Sequence, residues 1–215
     1  MRALVCRDGS LTLDRTYPMP EPQAGEALIR VLLAGICNTD LEIIRGYLDF
    51  RGVSGHEFVG VVEAVHVDIE NAGAQTLVGK RVVGEINAAC HRGDCWCCQH
   101  GMPTHCPKRT TLGILGRDGA FAEYLTLPLE NLHVLPDNVS DEEAVFVEPL
   151  AANFEILEQV YVKPTDHVIV LGDGKMGQLA AQVLTLSGCE VMMVGKHEEK
   201  LNASKLIMRQ APVTG

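Results

Sequence analysis

Cys90, Cys95, Cys98 and Cys106 stand in one polar, loop-rich segment with the spacing Cys90-x4-Cys95-x2-Cys98-x7-Cys106. Four soft ligands suit tetrahedral zinc, and a four-cysteine site with no open position is structural rather than catalytic. Gly93, Gly101 and Pro103 supply the turns such a loop needs. Cys97 is a spare thiol that could replace a neighbour, although its side chain is expected to point away from that of Cys98. Disulfides are the competing use, but without a secretory leader a reducing compartment is expected, and there clustered thiols usually mean metal.

A second set could do chemistry: Cys37, Thr39, Asp40, His56, Glu57 and Glu148. Taken singly these are ordinary residues. A buried cysteine is a small hydrophobe, a histidine can be a satisfied core residue, and Glu148 before Pro149 could end a helix. Thr39 followed by Glu42 fits a capping box, which would place Cys37 just before a helix N-terminus, where the dipole favours a thiolate.

A third constellation lies further on. The apolar run His167 to Leu171 reads as a buried strand and leads into Gly172-Asp173-Gly174-Lys175-Met176-Gly177. The glycines of this G-x-G-x-x-G pattern allow a tight turn, close approach of a pyrophosphate to the backbone, and close helix–strand packing. Gly172, Gly174, Lys175, Met176 and Gly177 are therefore candidate coenzyme-binding residues. At the end of the next strand, proteins that bind NAD usually carry an acid for the ribose 2′-hydroxyl. Here the chain reads Val194-Gly195-Lys196-His197. Basic residues in place of the acid suit a 2′-phosphate, so Lys196 joins the set and NADP is preferred over NAD.

These residues need elements to hold them. The first ~145 residues alternate short apolar strands with Gly/Pro turns, the pattern of a barrel-like β domain. Strands are expected from Met1, over 27–34, 58–66, 81–84 and 121–127, while Pro18, Pro20 and Pro22 mark an extended connection. Ser140 should cap a helix, with another over 151–160. Helix 178–187, strand 190–194 and helix 198–209 complete a β-α-β-α opening of a doubly wound domain. The expected domains are thus 1–145 and 146–215. Half a parallel sheet should leave Val168, Val170, Val191 and Val194 exposed, because such sheets bury both faces.

Composition narrows the function. Lys and Arg total 18 against 28 Asp and Glu, a net charge of −10, which argues against nucleic-acid binding and separates the cysteine lobe from a nucleic-acid zinc ribbon. No apolar run is long enough for a membrane span. A cytoplasmic location and no membrane partner are the resulting expectations.

The order Cys37-x-Thr39-Asp40, Gly55-His56-Glu57, the four-cysteine lobe, Glu148-Pro149-Leu150 and Gly172-x-Gly174-x-x-Gly177 resembles the zinc-containing medium-chain dehydrogenase/reductase family, and does so up to about Leu201. The resemblance implies an α/β protein with a β-rich N-terminal part: a GroES-like β-barrel catalytic domain followed by a partial Rossmann domain. It implies two Zn²⁺ per chain, NADP or NAD, and a small-molecule alcohol, polyol or sugar as substrate. Cys37, His56 and Glu148 would hold the catalytic zinc, with Glu57 an alternate ligand, Asp40 orienting His56, and Thr39 passing the substrate proton. A homo-oligomer is a further expectation.

Two departures accompany it. The family's lobe usually reads Cys-x2-Cys-x2-Cys-x7-Cys, but Arg92 holds the expected first position and Cys90 lies two residues earlier, reachable if Gly93 turns. The chain also looks truncated within the Rossmann sheet. The alternative reading is therefore a catalytically silent zinc-binding protein of the same family.

Overall fold

The computed structural model describes residues 1–66, 72–203 and 209–212. In chain order, the first strands are β1 (Ala3–Arg7), β2 (Ser10–Asp14) and β3 (Glu26–Gly35), followed by helix α1 (Asn38–Ile44). Next come β4 (Gly52–Val53), β5 (Glu57–His66), β6 (Arg81–Gly84), β7 (Asn87–Ala88) and α2 (Trp96–Gln99). The strands β8 (Thr110–Leu112), β9 (Gly116–Arg117), β10 (Tyr124–Pro128) and β11 (Leu132–Val134) precede α3 (Asp141–Ala144) and α4 (Val147–Gln159). The chain closes with β12 (His167–Leu171), α5 (Lys175–Thr185), β13 (Glu190–Gly195), α6 (Glu198–Ala203) and β14 (Arg209–Pro212).

Two compact units divide the chain, Met1–Glu148 and Pro149–Gly215. The first is built on a five-stranded sheet in the order β10-β3-β5-β6-β11, with three-stranded sheets β2-β1-β4 and β7-β8-β9. β5 works for two cores because side chains alternate along a strand. Phe58 and Val62 join Ile29, Val82, Leu112, Leu125 and Leu127 on one side, while Val59 joins Val83, Leu135 and Ala144 on the other. The Pro-rich connection after β2 is non-helical, and Ser140 does cap α3: its hydroxyl accepts from the Glu143 N–H.

In the second unit β12, β13 and β14 pair in parallel. The expected helix from Glu198 is present as α6, and residues 204–208 of its expected span lie outside the described residues. Among the described residues α6 ends at Ala203, and Arg209 opens a third strand beside Met192. The expected exposure is also redistributed. Val191 is buried with Met193 against Ala181, Leu184 and Leu201, and Val168 and Val170 pack at the edge of that core. The solvent-facing apolar groups are instead Ile169 and Leu171, the other face of β12. One face of the sheet is covered by α5 and α6, and the period of two puts odd-numbered β12 residues on the bare face.

Candidate metal centres and coenzyme site

The cysteine lobe lies between β7 and β8. Cys95 is the residue before α2, so Cys98 follows one turn later on the same side. The Cys90 sulfur stands 3.9 Å from that of Cys98 and 3.4 Å from that of Cys106, and Cys95 is 3.8 Å from Cys106. A disulfide needs ~2.05 Å, and none of these thiols is bridged. Four sulfurs placed tetrahedrally at ~2.3 Å from one ion would stand about 3.8 Å apart. The four sulfurs all lie within 4.8 Å of one another, so the donor set fits a closed zinc site.

Cys97 stands on α2 outside this set, which contains Cys90 despite its displaced position. Gly93 lies in a turn as expected, closed by the Cys95 N–H donating to the Arg92 carbonyl oxygen at 3.0 Å. The left-handed residue is His91, at φ +44°, whose imidazole Nε2 meets the Glu130 carboxylate at 2.5 Å. Burial and the neighbouring thiols of Cys95 and Cys106 push Cys98 up to about 12. Burial also opposes ionisation of Cys106, but hydrogen bonds from the Cys90 and Lys108 backbones outweigh it and hold this thiol down at about 6. The lobe thus carries a thiolate near neutrality, the ligand form that zinc takes.

The second centre is assembled from elements far apart in sequence. Cys37 is the residue before α1, His56 precedes β5 and Glu57 begins it; one donor atom from each lies within 4.8 Å of the others. Asp40 ties the three regions together. Its Oδ2 accepts the Cys37 N–H at 2.8 Å, its Oδ1 accepts the Ser54 hydroxyl at 3.0 Å, and His56 Nδ1 lies 3.3 Å from Oδ1. This corrects the expected capping box: the N-terminal bond of α1 runs from Cys37 to Asp40, not between Thr39 and Glu42. The Thr39 hydroxyl is 3.6 Å from the Cys37 sulfur.

His56 is buried, and its Nδ1 is out of line for a hydrogen bond despite the short distance to Asp40. Burial disfavours its charge, yet Asp40 outweighs this and raises the imidazole to about 9. Glu148, the second residue of α4, is raised by burial, lowered by His56, and raised again by Glu57, Glu85 and Asp40. A buried imidazole among so many carboxylates marks a place that favours a cation. Glu148 is close enough to feel these charges, but the tight donor set contains Glu57 in its place.

Sequence reasoning did not single out Ser54 or the glycines that shape the pocket. A Cβ on Gly35, the β3 partner of Glu57, would stand 2.3 Å from Glu57 Oε2. The carboxylate therefore lies over bare backbone. Gly35→Ala is expected to displace Glu57 and weaken metal binding here about tenfold, the scale of losing an outer-shell support, while the cysteine lobe keeps its ion. Competition titrations with a chelator read both sites.

Gly55, at φ +97°, turns the chain immediately before His56. A Cβ on Gly113 would sit 2.2 Å from the Gly55 carbonyl oxygen, and one on Gly119 2.1 Å from the same atom. Both clashes are with backbone, which cannot swing away. Gly113 also has φ +65°. Gly113→Ala is expected to cost about 3 kcal/mol, from overpacking plus left-handed strain, and to shift His56. Urea unfolding measures the first effect and metal content the second.

In the second unit the glycine motif joins β12 to α5. Gly172 is at φ +116°, and a Cβ on Gly177 would lie 2.2 Å from the Gly172 carbonyl oxygen. A Cβ on Gly174 would meet nothing within 4 Å, so the backbone is open to a ligand where α5 begins at Lys175. That is the arrangement that cradles a pyrophosphate. Met176 is half exposed, and its sulfur lies 3.7 Å from Asn153 Nδ2. Beside the motif is a cavity of about 300 Å³ lined by Gly172, Asp173, Gly195, Lys196 and His197 among others. Asp173 accepts the His197 N–H at 2.6 Å and His197 Nδ1 at 3.0 Å, bonds that hold its carboxyl down at about 2.

Residues 23–137 match the model of the alcohol dehydrogenase GroES-like domain. Over 194 residues the chain is 36% identical to the starvation-sensing protein RspB of Escherichia coli K12, a match covering 87% of this chain and 55% of RspB. It is 35% identical over 209 residues to L-threonine 3-dehydrogenase of Chelativorans, covering 90% of this chain and 56% of that enzyme. Among solved structures, that of RspB from E. coli CFT073 complexed with NADH superposes with a TM-score of 0.88 at 30% identity, over 100% of this chain and 63% of that one. A zinc-binding dehydrogenase from Sinorhizobium meliloti bound to NADP gives 0.85 at 28% identity, over 99% and 61%. The chain belongs to the zinc-containing medium-chain dehydrogenase/reductase family, with a GroES-like domain followed by part of a Rossmann domain. It spans about half the length of the curated relatives it matches. No described helix is long and apolar enough to cross a membrane.

Proposed function

We propose that this chain carries the metal-binding machinery and the adenosine-binding half of a zinc-dependent oxidoreductase that moves hydride between the CH–OH group of an alcohol, polyol or sugar and NAD(P), with NADP preferred. The observation that carries the reading is the Cys37–His56–Glu57 donor set, closed on one side by Asp40 and standing apart from the cysteine lobe. A zinc ion bound there would act as a Lewis acid toward the substrate oxygen.

The chain's own residues do the rest. Cys37 would offer its sulfur to the metal, and Asp40 holds the Cys37 backbone N–H with its carboxylate 3.3 Å from the His56 ring. Thr39, beside the Cys37 sulfur, is placed to take the proton from a substrate hydroxyl. Glu57 would be a ligand in the tight set, with the Glu148 carboxylate near enough to serve as an alternative. Gly172, Gly174, Lys175, Met176 and Gly177 would hold the coenzyme pyrophosphate, and Lys196 the 2′-phosphate. The lobe built on Cys90, Cys95, Cys98 and Cys106 would carry a second, structural zinc.

The purified chain is expected to hold two zinc ions and to bind NADP(H), measured by metal analysis and by quenching of protein fluorescence on titration with NADPH. Zinc without any coenzyme binding would leave only the silent zinc-binding protein.

A further inference from the structure

Asp173 occupies the first variable position of the glycine motif, yet its side chain turns across the sheet end rather than out to solvent. It is 7% exposed, and its carboxylate fills the space that a Cβ on Gly195 would need, at 2.5 Å. There it accepts the backbone N–H of His197 and, on both carboxylate oxygens, faces the imidazole Nδ1 of His197 at 3.0 and 3.1 Å. Among the described residues, Asp173 is the one acid lining the cavity at the ends of β12 and β13. The ribose of a dinucleotide lies at this position in a doubly wound fold.

The chain thus has a carboxylate in the coenzyme cavity, reached from the glycine loop and not from the end of β13. A free carboxylate there would accept hydrogen bonds from ribose hydroxyls and repel a phosphate. Here both of its oxygens face His197, through the backbone N–H and the imidazole Nδ1, and a carboxylate turned to that residue is withdrawn from either role. Lys196 and the outer edge of His197 then face the opening, since both side chains are exposed. Glu198 and Glu199 follow on α6 and are exposed too, so the cationic rim is narrow.

We infer that His197 decides coenzyme choice by sequestering Asp173: while the imidazole holds the carboxylate, the pocket takes a 2′-phosphate, and without it Asp173 becomes a ribose-binding acid. This rests on the coenzyme reading above and names the residue pair on which the preference turns. His197 is therefore a positioning residue, acting through Asp173.

The test uses probes that need only the adenosine half of the site, 2′,5′-ADP and 5′-AMP, titrated by calorimetry into the zinc-loaded chain. The native protein is expected to bind 2′,5′-ADP at least tenfold more tightly. In His197→Ala that ratio should fall about tenfold, with 5′-AMP binding retained or strengthened. His197 is exposed, so the variant keeps its fold, checked by its unfolding midpoint. Adding Asp173→Asn to His197→Ala should recover part of the ratio, because the released charge is then gone.

An unchanged ratio in His197→Ala with 5′-AMP still bound would overturn the inference while leaving the coenzyme reading standing. Loss of the ratio with no recovery in the double variant would also overturn it, since His197 would then be a direct phosphate ligand. Failure of the native chain to bind either nucleotide would sink both the inference and the coenzyme reading.

Discussion

Cys106→Ser is expected to release one zinc ion per chain and to unfold the loop from Cys90 to Cys106, while the Cys37 centre stays loaded. Cys106 is fully buried, touches both Cys90 and Cys95, and is the thiol held ionised by its neighbours. A serine hydroxyl stays protonated near neutral pH and cannot replace a thiolate. The three remaining sulfurs would leave an open position in a site whose other members have little packing of their own. Binding of a structural zinc is worth roughly 10–16 kcal/mol in small zinc domains, so most of the lobe's order depends on it. Metal analysis and limited proteolysis read the two consequences. Cys97→Ser is the control and should keep both ions. Retention of two zinc ions by Cys106→Ser would show that the lobe is not a four-thiolate site.

Cys37→Ser is expected to lower zinc from two ions to one while sparing the fold, and to reduce hydride transfer at least a thousandfold where the intact enzyme can be assayed. The substitution removes the sulfur of the donor set, leaving the His56 imidazole and the Glu57 carboxylate. It does not touch the bond that orders the start of α1, because Asp40 accepts from the Cys37 backbone N–H and not from its side chain. Oxyanion stabilisation of the kind a bound metal supplies commonly accounts for losses of this size. Zinc counting and a urea unfolding curve separate the roles. A full complement of zinc in Cys37→Ser would refute its place as a ligand, and a collapsed fold would make it structural.

The two metal centres differed in how far they could be read before the structure. The cysteine lobe is local: its ligands lie within a short loop, so their spacing already constrains them to meet. Even so, the loop that admits Cys90 uses left-handed backbone at His91 as well as the turn at Gly93. The second centre joins α1, the start of β5 and the entry to α4, which no spacing rule connects. Only the order of motifs and the family they resemble tied Cys37, His56 and Glu148 together. The structure then put Glu57 in the tight set, because its carboxylate lies over the bare backbone of Gly35. Ser54 and Gly113 could not have been found from residue type, since their roles are contacts with distant backbone and side chains.

Secondary structure shows the same division. The helix capped by Ser140 is set by interactions within a few residues of one another, whereas β3 and β5, though legible as apolar runs, are held by pairing with each other. At the far end of the final expected helix, Arg209 instead pairs beside β13, where pairing between strands overrides local preference. The candidate ligand types, the glycine motif and the lack of an acid at the end of β13 are legible in the residues alone. Tertiary structure alone decided which carboxylate joins Cys37 and His56, and that Asp173 folds back to hold His197. Ligand type is a property of single residues, whereas coordination and charge pairing depend on distances that only the folded chain creates.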